Sequence, residues 1–142
     1  MKLIRLTCIL MIPAMLLSCS KSDDTITPQP KIQPTLSSIQ QQVFDVSCSS
    51  TSCHGSSAAG GLILTTGSSY SQLVGVRSVR DGEHTPTFFR VQPNSPDSSF
   101  LYIKLTAPTS KQGTLMPRLG VKLSQDKIDA IQTWIASGAN QN

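Results

Sequence analysis

Cys48-Ser49-Ser50-Thr51-Ser52-Cys53-His54-Gly55 is the stretch on which the reading of this chain turns. It places two thiols and an imidazole on one short Ser/Thr-rich loop, and it follows an amphipathic segment directly. In that segment Ile39, Val43 and Val46 fall at i, i+4 and i+7 and Phe44 widens the apolar face, so residues 38–47 are expected to form a short α-helix. The added Ser and Thr residues between the cysteines can bulge into solvent at little cost.

Downstream, the clearest element is a C-terminal helix. Ser124 is a suitable N-cap, Asp126 lies in the first turn, and Ile128, Ile131 and Ile135 share a face that Trp134 broadens. Gly138 is placed to end it as the C′ residue. Tyr70–Val74 and Ser99–Leu105 read as shorter helices, the second after a turn bounded by Pro93 and Pro96. Gly60–Gly67 reads as loop, with Leu62-Ile63-Leu64 a possible brief strand. The expected fold is therefore all-α, with about four short helices, long Ser/Thr/Gly loops and the two terminal helices packed together.

Upstream lies an address. Lys2 and Arg5 precede an apolar run from Leu6 to Leu17, broken by Pro13, which is too short for the ~20 residues that cross a bilayer as a helix. This suits a secretory signal. It ends in Leu16-Leu17-Ser18-Cys19, which resembles the lipobox of bacterial lipoproteins. The resemblance implies a signal peptide at 1–18, cleavage before Cys19, acylation of that cysteine, and a lipid anchor in the bacterial cell envelope. Ser20, rather than Asp, follows the cysteine, which in that family favours the outer membrane, on its periplasmic or surface face. Residues 19–37, with Pro28, Pro30 and Pro34 among Ser, Thr and Gln, read as an extended tether to a domain at 38–142.

Composition must be read after that leader is set aside. Of 142 residues, 12 are basic and 8 acidic, for a net charge of +4, and four are cysteine. Residues 1–18 carry Lys2, Arg5 and Cys8, so the remainder is close to +2. With Cys19 assigned to lipid, only Cys48 and Cys53 remain for other chemistry. There is no long charge run of the kind that binds nucleic acid, no second domain and no disulfide-dense scaffold. The low apolar content asks for a staple, a metal or a large cofactor to complete the core.

The Cys48, Cys53 and His54 block resembles c-type cytochromes, in which two cysteines bond the haem vinyls and the adjoining histidine ligates iron. The usual spacing between the cysteines is two residues, against four here. The likeness continues through Gly60-Gly61-Leu62, Tyr70-Ser71-Gln72-Leu73-Val74, Val91 to Leu101, Met116-Pro117 and Trp134 to Ala139. That order is similar to the cytochrome-c-like domains of planctomycete and other bacterial secreted proteins. It implies one covalent haem c held by Cys48 and Cys53, with His54 and Met116 as axial ligands and His84 as the fallback for Met116. Small cytochromes c place a proline about a dozen residues after the histidine, and its carbonyl orients the ring. Thr65 and Thr66 stand there instead.

The implied role is a single-haem electron carrier rather than an enzyme, working alone or beside a dehydrogenase. Lys111, Arg118 and Lys122 flank the Met116 loop and would steer an acidic redox partner protein. The residues alone leave other readings open. Cys48 and Cys53 could form a disulfide in a non-haem surface lipoprotein that binds glycans or proteins. Zinc would need a fourth ligand such as His84. A thiol-redox enzyme would lack the tighter C-x-x-C spacing.

Overall fold

Two stretches of the chain, one at each end, make the frame on which the rest hangs. The computed structural model describes residues 30–79, 88–118 and 120–142. The expected signal peptide at 1–18, Cys19, the start of the tether and His84 lie outside the described residues. Among the described residues the chain is mostly helical with no strand, in agreement with the all-α expectation. Isolated bridges (Val74 with Val91, Arg77 with Phe89, Phe89 with Ser99) are the only ladder-like pairings there. No described helix is long and apolar enough to cross a membrane.

The first frame element is α1 (Leu36–Ile39), which runs without a break into a π-helix over Gln40–Cys48. Thr35 caps it, its side chain accepting from the Ser38 amide at 3.3 Å. The π register changes which side chains face inward. A π-helix makes a turn in about 4.4 residues, against 3.6 in an α-helix. The seven positions from Ile39 to Val46 are nearly two α turns but only a little over one and a half π turns. Val46, expected on the apolar face, is accordingly 70% exposed, while Ile39, Val43 and Phe44 are buried. Cys48, nine positions after Ile39, comes round after two π turns to the inner side and packs against the core.

The second frame element is α4 (Gln125–Ala136), which buries Ile128, Ala130, Ile131, Trp134 and Ile135. It ends as a Schellman motif: Gly138 N–H donates to Ile135 O and Ala139 N–H to Trp134 O, with Gly138 at φ +100°. Ser124 stands at the N-cap without a side-chain bond to the helix amides. The neighbouring Ser124 hydroxyl instead holds the Asp126 carboxyl below its ordinary range. α1 and α4 touch each other, and α4 also meets α3 (Phe100–Thr106). The short α2 (Ser69–Leu73) contributes the buried Leu73.

Ile32 and Leu36, within the stretch read as tether, are buried in the same core, so packed chain reaches back at least to Ile32. Gly60–Gly67 is loop as expected. Its first part is a 3-10 turn over Ala59–Gly61, and Leu62 is extended without joining a strand. Leu64 from this loop is buried and completes the core between the frame elements.

Candidate functional site

The π-helix ends at Cys48, and the chain then folds tightly back on itself. Ser49 N–H still donates to Phe44 O at 2.8 Å, in the i to i+5 pattern of the helix. His54 N–H donates to Cys48 O at 3.0 Å, while Cys53 and Gly55 N–H both reach Ser50 O. Ser50, Thr51 and Ser52 are exposed and Ser49 is half-buried, so three of the four residues between the two cysteines face solvent. Gly55 is buried where a Cβ would stand 2.5 Å from Ser49 O and 2.7 Å from Ser50 O. Both obstructing atoms are backbone, so the turn demands glycine at that position.

The loop is held from beneath by Leu64, whose N–H donates to His54 O at 2.7 Å. Leu64 O in turn accepts from Gln40 Nε2 at 2.9 Å. Gln40 is buried on the π-helix and also donates to Asp45 Oδ1, while Ser69 Oγ donates to Gln40 Oε1. A continuous set of hydrogen bonds thus runs from the π-helix through Leu64 to the backbone of His54. A buried polar network of this kind is rigid when every member is satisfied.

Cys48 and Cys53 are both free thiols. Burial pushes the Cys48 thiol up to about 11; the neighbouring Cys53 adds to the rise and Lys127 opposes it. A thiol so placed stays protonated at neutral pH, the reverse of the lowered pKa that marks a redox-active or nucleophilic cysteine. Among the described residues no three His, Cys, Asp or Glu side chains converge as a metal-ion cage.

His54 carries the anomaly of the site. Its Nδ1 is buried and has no hydrogen-bond partner. The loop around Thr65 and Thr66, where no proline supplies an orienting carbonyl, offers it no acceptor either. Leaving a buried polar group unpaired costs about 1–3 kcal/mol.

Met116 is partly buried against the same core cluster as Cys48. Its loop is fastened by one residue of α3. Met116 N–H donates to Lys104 O at 2.8 Å, and Lys104 Nζ donates to Gln112 O at 2.9 Å and to Thr114 O. Burial lowers the Lys104 pKa. A capping box at Thr109 and Gln112 stiffens the start of the loop. The Met116–Pro117 bond is cis. The basic residues expected to steer a partner, Lys111, Arg118 and Lys122, are all exposed.

The structure therefore gathers Cys48, Cys53 and His54 on one braced loop and sets Met116 on a second loop against the shared core. Residues that pattern-reading passed over are Gln40, Lys104 and Arg90. Arg90 had a visible sign, a lone cation between Phe89 and Val91. Comparison with family models, curated proteins and solved structures finds no match to this chain.

Proposed function

We propose that the protein is a single-haem c-type electron carrier of the bacterial cell envelope, tethered to the membrane through a lipid on Cys19. The observation that carries this reading is the gathering of two unbonded cysteines and His54 on one braced loop, with Met116 on a second loop against the shared core. An imidazole left unsatisfied by its own chain suits a ligand brought from outside. Two free thiols beside it, one of them held protonated by burial, suit thioether formation with vinyl groups. The residues present thus fit haem c, which when bound would supply a reversible one-electron couple at iron.

In this reading Cys48 and Cys53 anchor the group covalently, and His54 is the proximal ligand on a backbone braced by Leu64 and Gln40. Met116 is the distal ligand, presented by the loop that Lys104 fastens. With His54 and Met116 both held by the protein, the group would serve as a relay and not as a site for a substrate. Lys111, Arg118 and Lys122 would meet an acidic redox partner. A lipid at Cys19 and a tether ending near Ile32 would keep the domain beside, rather than within, the membrane.

The test is a pyridine-haemochrome spectrum of protein produced with haem-maturation machinery. A covalent haem band on denatured protein is the expected result. Colourless protein in which thiol titration finds Cys48 and Cys53 oxidised to each other would establish the other reading. That reading is a non-haem binding module with a disulfide.

A further inference from the structure

We propose that Gln40 is a positioning residue for Cys48: paired with Asp45, it locks the helix in the π register that turns this cysteine inward for covalent attachment. The inference rests on the haem reading above and deepens it. Residues five apart lie about 140° from each other around an α-helix and about 50° around a π-helix. The second spacing lets Gln40 Nε2 donate to Asp45 Oδ1 at 2.6 Å. The rest of the Gln40 amide is committed too. Its other N–H goes to Leu64 O at 2.9 Å, and its oxygen accepts from Ser69 Oγ at 2.5 Å. Asp45 is held in turn by Thr66 Oγ1, which donates to Oδ2 at 3.1 Å. Both members of the pair are thus gripped by one stretch of chain, residues 64–69.

That stretch is fixed independently of the helix. The buried Arg90 donates from Nη2 to Gly61 O and from Nη1 to Gln72 O, each at 2.9 Å, so one guanidinium ties the chain on either side of it. Leu64 N–H also donates to His54 O at 2.7 Å. The register of the helix is therefore imposed by a clamp built outside it.

The clamp works against the hydrophobic pattern and serves one side chain. Ile39, Val43 and Val46 would share a face in an α-helix, yet Val46 is left 70% exposed. In that α-helix Cys48 would stand about 180° round from Ile39, on the side away from the core. In the π register it lies nearly in line with Ile39 and packs against the core cluster that Met116 also touches. A valine is given up to solvent and a thiol is brought in, an exchange that folding alone does not favour. Turns of π-helix occur frequently at functional sites. So placed, the Cys48 thiol adds across a vinyl double bond: its sulfur bonds one carbon and its proton passes to the other, with no electron gained or lost.

The experiment compares the parent protein with Gln40→Leu, Asp45→Ala and Asp45→Asn. In protein made without haem-maturation machinery, a scalar coupling across the hydrogen bond reads the acceptor of Ser49 N–H. That acceptor is Phe44 O in the π register and the carbonyl of residue 45 in an α-helix. Parent and Asp45→Asn, which keeps an acceptor for Gln40, should couple to Phe44. Gln40→Leu and Asp45→Ala should couple to residue 45, and iodoacetamide should label Cys48 in them roughly tenfold faster or more. Coupling to residue 45 in the parent or Asp45→Asn, or to Phe44 in either of the other two, would overturn the lock. Asp45 is exposed, so Asp45→Ala decides alone where Gln40→Leu does not fold.

With haem-maturation machinery, peptide mass and pyridine haemochrome count the thioethers. Two are expected in parent and Asp45→Asn. At most one, on Cys53, is expected in Gln40→Leu and Asp45→Ala, with the haemochrome band moved towards that of a haem keeping one vinyl. A loss of stability alone would move neither the coupling partner nor the thioether count. Two thioethers in a variant of shifted register would overturn the attachment role and leave the haem reading intact. A colourless parent overturns the haem reading and the attachment role with it, while the coupling still tests the lock.

Discussion

Gln40 and Asp45 stand five residues apart on one helix, and Gln40 Nε2 donates to Asp45 Oδ1 at 2.6 Å. In an α-helix such a pair would diverge, whereas the π register brings it onto one face. Gln40 also serves Leu64 O and Ser69 Oγ, so it ties the helix to the chain that supports His54. Replacing it by Ala would leave buried polar groups unpaired. We expect Gln40→Ala to lower unfolding free energy by about 1–3 kcal/mol in urea denaturation.

The helical register itself can be tested at two valines. An α-helix would bury Val46, while the π-helix exposes it and buries Val43. Val46→Asp should therefore change stability by no more than about 0.5 kcal/mol, as surface substitutions do. Val43→Asp should unfold the domain or reduce its melting temperature severely, because it puts an unpaired charge into the core. Equal damage at both positions in a thermal melt would refute the π register.

Gly55 is fixed by contact rather than by dihedral preference. A Cβ there meets Ser49 O and Ser50 O, and neither can rotate away. Gly55→Ala should force the loop open at a cost of about 1–3 kcal/mol, comparable to other overpacked sites. Thermal denaturation reads the loss. In the haem reading the same variant should also lose most of its covalent haem, since the loop positions both thiols.

Lys104 joins α3 to the Met116 loop through its carbonyl and its ammonium. Lys104→Met keeps the carbonyl contact and removes the ammonium bonds to Gln112 O and Thr114 O. Hydrogen exchange at the Met116 amide should become faster by roughly tenfold, the equivalent of about 1.4 kcal/mol of local opening. In a haem-loaded protein the weak absorption of a sulfur–iron bond should fade in the same variant.

The Cys48 thiol gives a pH dependence with a defined sign. Its ordinary value of 9.0 rises to about 11 in the folded chain. The folded state thus keeps its proton where the unfolded state has released it, so alkali favours unfolding. Stability should be undiminished below pH 9 and fall between pH 9 and about pH 11, by about 2–3 kcal/mol in all. Urea titrations of reduced, haem-free protein at rising pH would show this decline. Cys48→Ala should remove it, as should any bond formed at that sulfur.

The parts of this fold that could be read in advance depend on local rules. Helix α4 has a regular apolar period, an N-cap residue and a terminal glycine, and each of these signals acts within a few residues. The short α2 and α3 followed from apolar spacing and from the turn before Ser99. The π-helix was not legible, because Ile39, Val43 and Val46 satisfy an α period equally well. What selects the π register is distant: Ser69 and the Leu64 carbonyl hold Gln40 in place, from 29 and 24 residues away. The site divides in the same way. The cysteine–histidine block announces itself in adjacent letters, and Met116 stands out by rarity. Arg90, Lys104 and Gln40 act through backbone carbonyls that no pattern of side chains reveals.

Asn142 closes onto the first helix: Leu36 N–H donates to Asn142 Oδ1 and Ser37 N–H to Asn142 O, both at 2.9 Å. Leu36 and Asn142 consequently share one pole of the domain. The helical run from Leu36 to Cys48, at a rise of about 1.5 Å per residue or slightly less, sets the cysteine loop roughly 15 Å from that pole. Helix α1 and its π extension thus act as a strut between that pole and the cysteine–histidine loop. Anything attached beside Leu36 or Asn142 crowds that pole and leaves the thiols unobstructed. A fluorescent fusion or a surface-coupling tag at either end would accordingly present the domain to a partner in the same orientation.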